Sequence, residues 1–189
     1  MANEPVLETE RLLLRVPRPD DAEGASELLA DPIVMRFLGG STVPREDVPV
    51  VIAKWSRRWQ ESGMGPFVIT RRTDGRFLGR AGLLVWDTRS WTHATLAETG
   101  AFAQPELGWA LARAHWGNGY ATEAARAVRR WANAERGVDR LVSLIAPDNL
   151  ASQRVAERLG AQPTETVRLF DSGSAVVWVH PASRGSHPR

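Results

Sequence analysis

The sequence predicts a single α/β domain: a mixed, largely antiparallel twisted sheet with helices on both faces and one parallel strand pair. Three observations carry this. Short β-like runs separated by turn signals in the first half read as an antiparallel meander. A strand, a glycine loop, a helix and a second strand between Glu106 and Ile145 form a βαβ unit, whose strands run parallel through a right-handed crossover. At 189 residues, 43% of them hydrophobic, the chain suits one core and is too short for two ordinary domains. The domain is expected over 1–180, followed by a disordered tail at 181–189.

Each element has a local cause. Leu7 to Val16 is an extended run stopped by Pro17 and Pro19, a first strand. Asp20 and Asp21 begin a helix with Ala22, Ala25, Leu28 and Leu29 at helical spacing, ended by Asp31-Pro32. A second helix follows Pro44 and carries Val48, Val51, Ile52, Trp55 and Trp59 on one side. The Trp55/Trp59 pair reads as core. Pro66–Thr70 and Phe77–Trp86 are strands joined through the Asp74-Gly75 hairpin signal. Residues 87 to 104 show no sustained period and are long for a strand connection, a length often tied to function.

Glu106 to Leu111 is the next strand, and the loop Arg113–Ala121 opens into a helix with an apolar stripe from Ala121 through Ala124, Ala125, Val128 and Trp131 to Ala132. Gly137 is its C-cap. Arg140–Ile145 is a strand, and Asn149 caps a helix that carries Ala151, Val155, Ala156 and Leu159 inward and stops at Gly160. Thr164–Phe170 and Ser174–Val179 form a closing hairpin around Asp171-Ser-Gly173.

Composition removes several function classes. The formal charge is only +2, Lys54 is the single lysine among 24 basic residues, and the Arg-Arg pairs at 57–58, 71–72 and 129–130 sit in mixed-charge elements that read as solvated faces. Nucleic acid is not an expected partner. There is no cysteine, hence no disulfide and no thiolate site, and four scattered histidines make no metal cluster. No apolar h-region opens the chain and no run approaches the roughly 20 apolar residues of a membrane span, so a cytoplasmic location is expected.

The loop is an anion cradle. Gly117 and Gly119 let the backbone turn and present successive N–H groups, and the helix starting near Tyr120 adds unpaired amides and a positive dipole end. A phosphate belongs there. A P-loop would need Lys-Ser/Thr where Tyr120-Ala121 stands. A dinucleotide fingerprint would need its third glycine at Thr122 and repeated βαβ units, so a nucleotide-binding oxidoreductase fits the glycines alone.

Taken together, Trp116-Gly-Asn-Gly-Tyr-Ala-Thr-Glu-Ala124 between strand and helix, then Asn149-Leu-Ala-Ser152 leading to Arg158-Leu-Gly160, resemble the GNAT acyltransferases. The opening Leu7-Glu-Thr-Glu-Arg-Leu-Leu-Leu-Arg15 resembles the branch of Rim-type ribosomal-protein N-terminal acetyltransferases. The resemblance covers about residues 7 to 180. It implies acetyl-CoA as co-substrate, with the pyrophosphate on the amides of Trp116, Gly117, Asn118, Gly119, Tyr120, Ala121 and Thr122. It further implies pantetheine paired to the strand ending at Leu111, Asn149 and Ser152 facing the same cleft, and Arg158 near a CoA phosphate. The two parallel strands would splay at their C-terminal ends to admit the amide-like arm. Asn149 also reads as a plain helix cap and Ser152 as a solvent-facing hydroxyl.

The tyrosine that many such enzymes resemble one another in carrying in the last helix is replaced by Ala156, and the basic or glutamine residue often found three before the first loop glycine by Ala114. Tyr120, the only tyrosine, packs or caps within the loop. The Rim-type branch resembles this chain in having a serine at Ser152, which makes Ser152 the candidate for holding the thiolate. Glu106, entering the cradle strand, is the preferred general base, directly or through water; a solvent-facing carboxylate is the competing reading. Trp86, Trp91, His93 and Glu98 are candidates for an aromatic, acid-marked acceptor pocket, with core packing as the alternative. The expected reaction is acetyl transfer to a primary amine, a peptide N-terminus or a small molecule, by direct attack in a ternary complex. A catalytically silent acyl-CoA-binding or sensing module is the rival reading. Oligomeric state is open.

Overall fold

The computed structural model describes residues 4–169 and 173–182. Nine strands form one sheet: β1 (Val6–Glu8), β2 (Leu12–Arg15), β3 (Pro66–Arg71), β4 (Phe77–Asp87), β5 (Thr92–His93), β6 (Ala103–Leu111), β7 (Val142–Ile145), β8 (Gln162–Leu169) and β9 (Gly173–Val179). The order across the sheet is β1-β2-β3-β4-β6-β7-β9-β8, with β5 beside β4. Every pairing is antiparallel except β6 with β7. The mixed sheet with one parallel pair is therefore the fold that the periodicity predicts.

Among the described residues six α-helices flank it: α1 (Ala22–Leu29), α2 (Pro32–Met35), α3 (Val48–Ser62), α4 (Leu96–Thr99), α5 (Tyr120–Arg136) and α6 (Leu150–Arg158). Alternate residues of β6 face different layers. Leu107 and Leu111 join the α5 side of the core with Ala124, Val128 and Trp131, while Ala110 joins the cluster of α1, α2 and α3 with Ala25, Val34, Ile52 and Trp55. Trp59 closes the gap between α3 and α5, its ring 4.5 Å from Phe67 and 5.5 Å from Trp131, and its indole N–H donates to the Pro66 carbonyl at 2.9 Å.

Three expectations change. The first strand is two, because Thr9 turns the chain: its N–H donates to the Leu12 carbonyl and its hydroxyl accepts from the Leu12 N–H, both at 3.0 Å. Asp31-Pro32 ends α1 and also starts α2, since the Asp31 carboxylate accepts the Ile33 N–H at 2.9 Å and proline suits the first helical position. The 87–104 connection contains β5 and α4, the latter fixed by a Thr95/Glu98 capping box. The hairpin turn expected at 171–173 and most of the expected tail fall on residues 170–172 and 183–189, outside the described residues. Among the described residues, no helix is long and apolar enough to cross a membrane.

Candidate active site

The parallel pair sets the site. β6 and β7 meet in a single registered pair, Glu106 with Val142, and then diverge. Two side chains hold the opening. Ser143 Oγ donates to the Leu107 carbonyl at 2.6 Å, and the Leu144 N–H approaches Glu106 Oε1 at 3.4 Å. Because Leu107 turns its carbonyl toward β7, the main-chain groups of Trp109, two residues on, face the same gap. The Leu111 carbonyl already accepts the Trp116 indole N–H at 2.8 Å. An open pairing position therefore lies at Trp109, within the strand ending at Leu111 to which the sequence reading assigns the arm.

Beyond the gap the chain builds its nest. Gly117 and Gly119 adopt φ of 77° and 79°, and α5 starts at Tyr120 with no side chain capping its first amides. Arg11 braces this loop from beneath: its guanidinium donates to the Asn118 carbonyl at 3.0 Å, pairs with Glu123 and stacks over Tyr120 at 4.7 Å. Glu123 also accepts from the Thr9 hydroxyl and the Arg11 N–H. The β1–β2 turn is thus tied to the loop, a support that sequence spacing does not reveal across more than 100 residues.

A cavity of about 500 Å³ runs from this nest along the gap. Leu111, Trp116, Gly117, Gly119, Tyr120, Ala121, Thr122, Asn149, Ser152 and Arg158 all line it. Asn118 does not; its side-chain amide donates back to the carbonyls of His115 and Trp116. Asn149 caps α6 by accepting the Ser152 N–H at 3.1 Å, so the capping reading and a place on the cavity wall hold together. Ala156 is fully buried against Ile145, Ala161 and Trp178.

The cavity also contains residues that the sequence did not single out. Ile33, Val34, Phe37 and Leu38 of the α2 region form one wall, and Arg154 joins Arg158 one helical turn away. The Asp-Pro cap of α2 and the i, i+4 arginines were the available signals. Arg36 forms an ion pair with Asp148 that links the α2 region to the turn before α6.

The group expected here carries phosphates and an amide-bearing arm, and the lining suits it. The Thr122 hydroxyl is buried without a hydrogen-bond partner, the nest offers uncapped amides, and Arg154 and Arg158 have no ion-pair partner among the described residues.

Toward the start of β6 sits Glu106, buried, with Oε2 accepting the Trp86 indole N–H at 2.5 Å. Burial raises its carboxyl above the ordinary glutamate range; the bonds from Trp86 and Leu144 and the charges of Arg80 and Arg58 pull the other way without overcoming it. His93 lies against the Trp86 ring, centroids 4.0 Å apart. His93 and Glu98 line a smaller cavity of about 210 Å³ with Arg58, Glu61 and Leu84. Trp91 packs with Trp86 against Val142, Val167 and Val177, lining neither cavity.

A family model described as an acetyltransferase (GNAT) domain matches residues 11–162. The chain belongs to the GNAT acetyltransferase family. YkkB, an uncharacterised protein of Bacillus subtilis (strain 168), is 33% identical over 172 residues, covering 90% of this chain and 92% of YkkB. The acetyltransferase of Agrobacterium tumefaciens C58 is 29% identical and superposes with a TM-score of 0.75 over 95% of this chain and 96% of that one. RimL, a ribosomal L7/L12 α-N-protein acetyltransferase solved with coenzyme A, shares the fold at 14% identity, with a TM-score of 0.71 over 94% of this chain and 98% of RimL. This GNAT protein is accordingly an acyl-CoA-dependent N-acetyltransferase, and acetyl-CoA is its co-substrate.

Proposed function

We propose that this GNAT enzyme acetylates a weakly basic primary amine, a peptide N-terminus in preference to a lysine side chain, by direct attack in a ternary complex. The observation that carries the reading is Glu106: a buried carboxyl with a raised pKa at the head of the splayed pair, beside the gap assigned to the pantetheine arm in this reading. A raised carboxyl is a better base than an ordinary one, and matching of pKa to working pH is what general-base catalysis rewards.

One base of this kind suits a modest task. An α-amine with pKa near 7.7 loses its proton at pH 7 for about 1 kcal/mol, whereas a lysine near 10.4 requires roughly 4 to 5 kcal/mol. RimL, by its description, modifies an α-amine, which supports the same choice here. Acetyl-CoA supplies a thioester whose C–S bond breaks as the C–N bond forms. Glu106 takes the amine proton, directly or through water. Ser152 Oγ, on the cavity wall, donates to the departing sulfur in place of the tyrosine that Ala156 replaces. Uncapped amides from Trp116 to Thr122 hold the pyrophosphate, and Arg154 and Arg158 balance the remaining negative charge.

A matched pair of peptides tests this: one with a free N-terminus and no lysine, the other N-blocked with one lysine. Thiol release at pH 7 should be at least tenfold faster with the first. Faster acetylation of the blocked lysine peptide overturns the acceptor assignment, and no turnover with any amine while CoA still binds makes the chain a binding module.

A further inference from the structure

The acceptor side of β6 carries more positive charge than its own carboxylate balances. Residues 80, 82 and 84 of β4 stand opposite 110, 108 and 106 of β6, so Arg80, Leu84, Glu106 and Ala110 share one face with the Gly82–Gly108 rung between them. A side chain at Gly108 would enter open space, meeting only Glu106 Oε1 at 3.8 Å. At Gly82 the backbone of Gly65 and Pro66 covers the sheet, so the open floor beside the Glu106 carboxylate is at Gly108.

Two arginines flank this floor. Arg80, on the same face of β4, lays its charged end over the Trp55 ring, 5.4 Å from the ring centre. Arg58 comes from α3 and lines the smaller cavity together with Leu84, the cross-strand partner of Glu106. Both act electrostatically on Glu106 and on each other. Neither forms an ion pair with any described residue, and Arg80 Nε is buried without a hydrogen-bond partner. Of the nearby acids, Glu98 is turned onto the Thr95 N–H and hydroxyl at 2.9 and 2.8 Å, while Glu61, exposed on α3, acts electrostatically on Arg58 without forming an ion pair. Glu106 is the buried acid that these two partly desolvated cations share, and Arg80, with no ion pair and an unpartnered Nε, is the cation that an anion on the ligand would complement.

We propose that the acceptor carries a carboxylate close to its reactive amine, and that Arg58 and Arg80 bind this carboxylate while Glu106 receives the amine. The inference rests on the acceptor-side role proposed for Glu106. Successive rungs on one strand face are about 7 Å apart, so the carboxylate belongs within roughly one residue of the amine. Two sources have that chemistry: the side chain of an acidic residue at the start of a peptide, and the α-carboxylate of a free amino acid or dipeptide. Arginine suits either through its bidentate geometry.

The test compares isosteric acceptors in a thiol-release assay on the full chain. Peptides beginning Asp-Ala or Ala-Glu are set against Asn-Ala and Ala-Gln peptides, and free dipeptides against their C-terminal amides. At least one acid/amide pair should differ tenfold or more in KM in favour of the acid, as expected for loss of a charge-assisted hydrogen bond. The pair that responds identifies the source. In Arg80→Gln and Arg58→Gln, each checked for folding by circular dichroism, that ratio should fall toward 1. Equal KM across every pair in the wild-type protein overturns the inference without recourse to a variant. If no acceptor turns over, calorimetric binding to the CoA-loaded protein decides: tighter binding of the acid upholds the anion site while the transfer reading falls, and equal or absent binding overturns the site.

Discussion

Replacing Gly117 by alanine isolates the energetic role of the nest. At φ of 77° the residue is in the left-handed region, and a Cβ there would meet nothing within 4 Å, so the substitution adds no clash. Its cost is purely conformational, about 1–2 kcal/mol. That cost has two places to go. If the loop keeps its shape, the free protein loses stability, and for a chain of this size about 2–4 °C of Tm per kcal/mol gives a drop of about 2–8 °C. If the loop relaxes to negative φ, the amides turn away from the phosphate, and the same energy appears as a loss of CoA affinity of about 5- to 30-fold. Gly119 is a poorer site for the experiment, since a Cβ there would come within 3.5 Å of the bracing Arg11 guanidinium. Calorimetric titration with CoA and thermal scans of the unliganded variant together recover the total. A variant unchanged in both, with Kd within twofold and Tm within 1 °C, refutes the reasoning that a strained glycine presents amides to the ligand.

Glu106→Gln should reduce kcat by about 10²- to 10⁴-fold and remove the acid limb set by Glu106 from the pH profile, leaving the limb that belongs to the amine. The same variant should melt higher than wild type at neutral pH. Burial raises the folded-state pKa, so the ionised carboxyl costs stability as pH rises from the ordinary glutamate value through the raised one; glutamine escapes that loss, and the Tm difference should widen across that interval and then level off. Ser152→Ala should lower kcat more than it raises the KM for acetyl-CoA, since a bond to the leaving sulfur strengthens in the transition state; equal kcat with raised KM would reduce Ser152 to a binding residue.

Legibility from sequence followed the range of the interactions. The βαβ unit, the α5 start at Tyr120, the caps at Asn149 and Gly137, and ten of the residues around the large cavity were readable because each depends on a turn, a cap or a period contained within a few residues. What sequence did not supply depends on contacts between distant segments. Arg11 and Glu123 lie far apart in the chain, yet they fix the loop together; Arg58, Arg80 and Glu106 come from α3, β4 and β6. The α2 wall escaped because Asp31-Pro32 served equally well as a stop and as a start. Trp91, an aromatic in a long connection, packs against the cluster of Trp86, Val167 and Val177, which is the core-packing alternative of its sequence reading.

The splayed strand pair explains why a buried acid and a buried serine stand where the ladder ends. A parallel pair that opens leaves main-chain donors and acceptors facing one another without partners, and such groups are costly unless something meets them. Ser143 meets the first of them, the Leu107 carbonyl, and is itself within 2.9 Å of His180 Nε2, a histidine held at a pKa of about 4 by burial and therefore neutral. Glu106 approaches the next, the Leu144 N–H. These two side chains end the pairing at a fixed point and leave the Trp109 main-chain groups facing the gap. The carboxyl proposed as the base is therefore also one of the struts of the opening. In Glu106→Gln the amide oxygen still accepts from Leu144 or Trp86, so the strut survives while the base is lost, and CoA affinity should be retained as turnover falls.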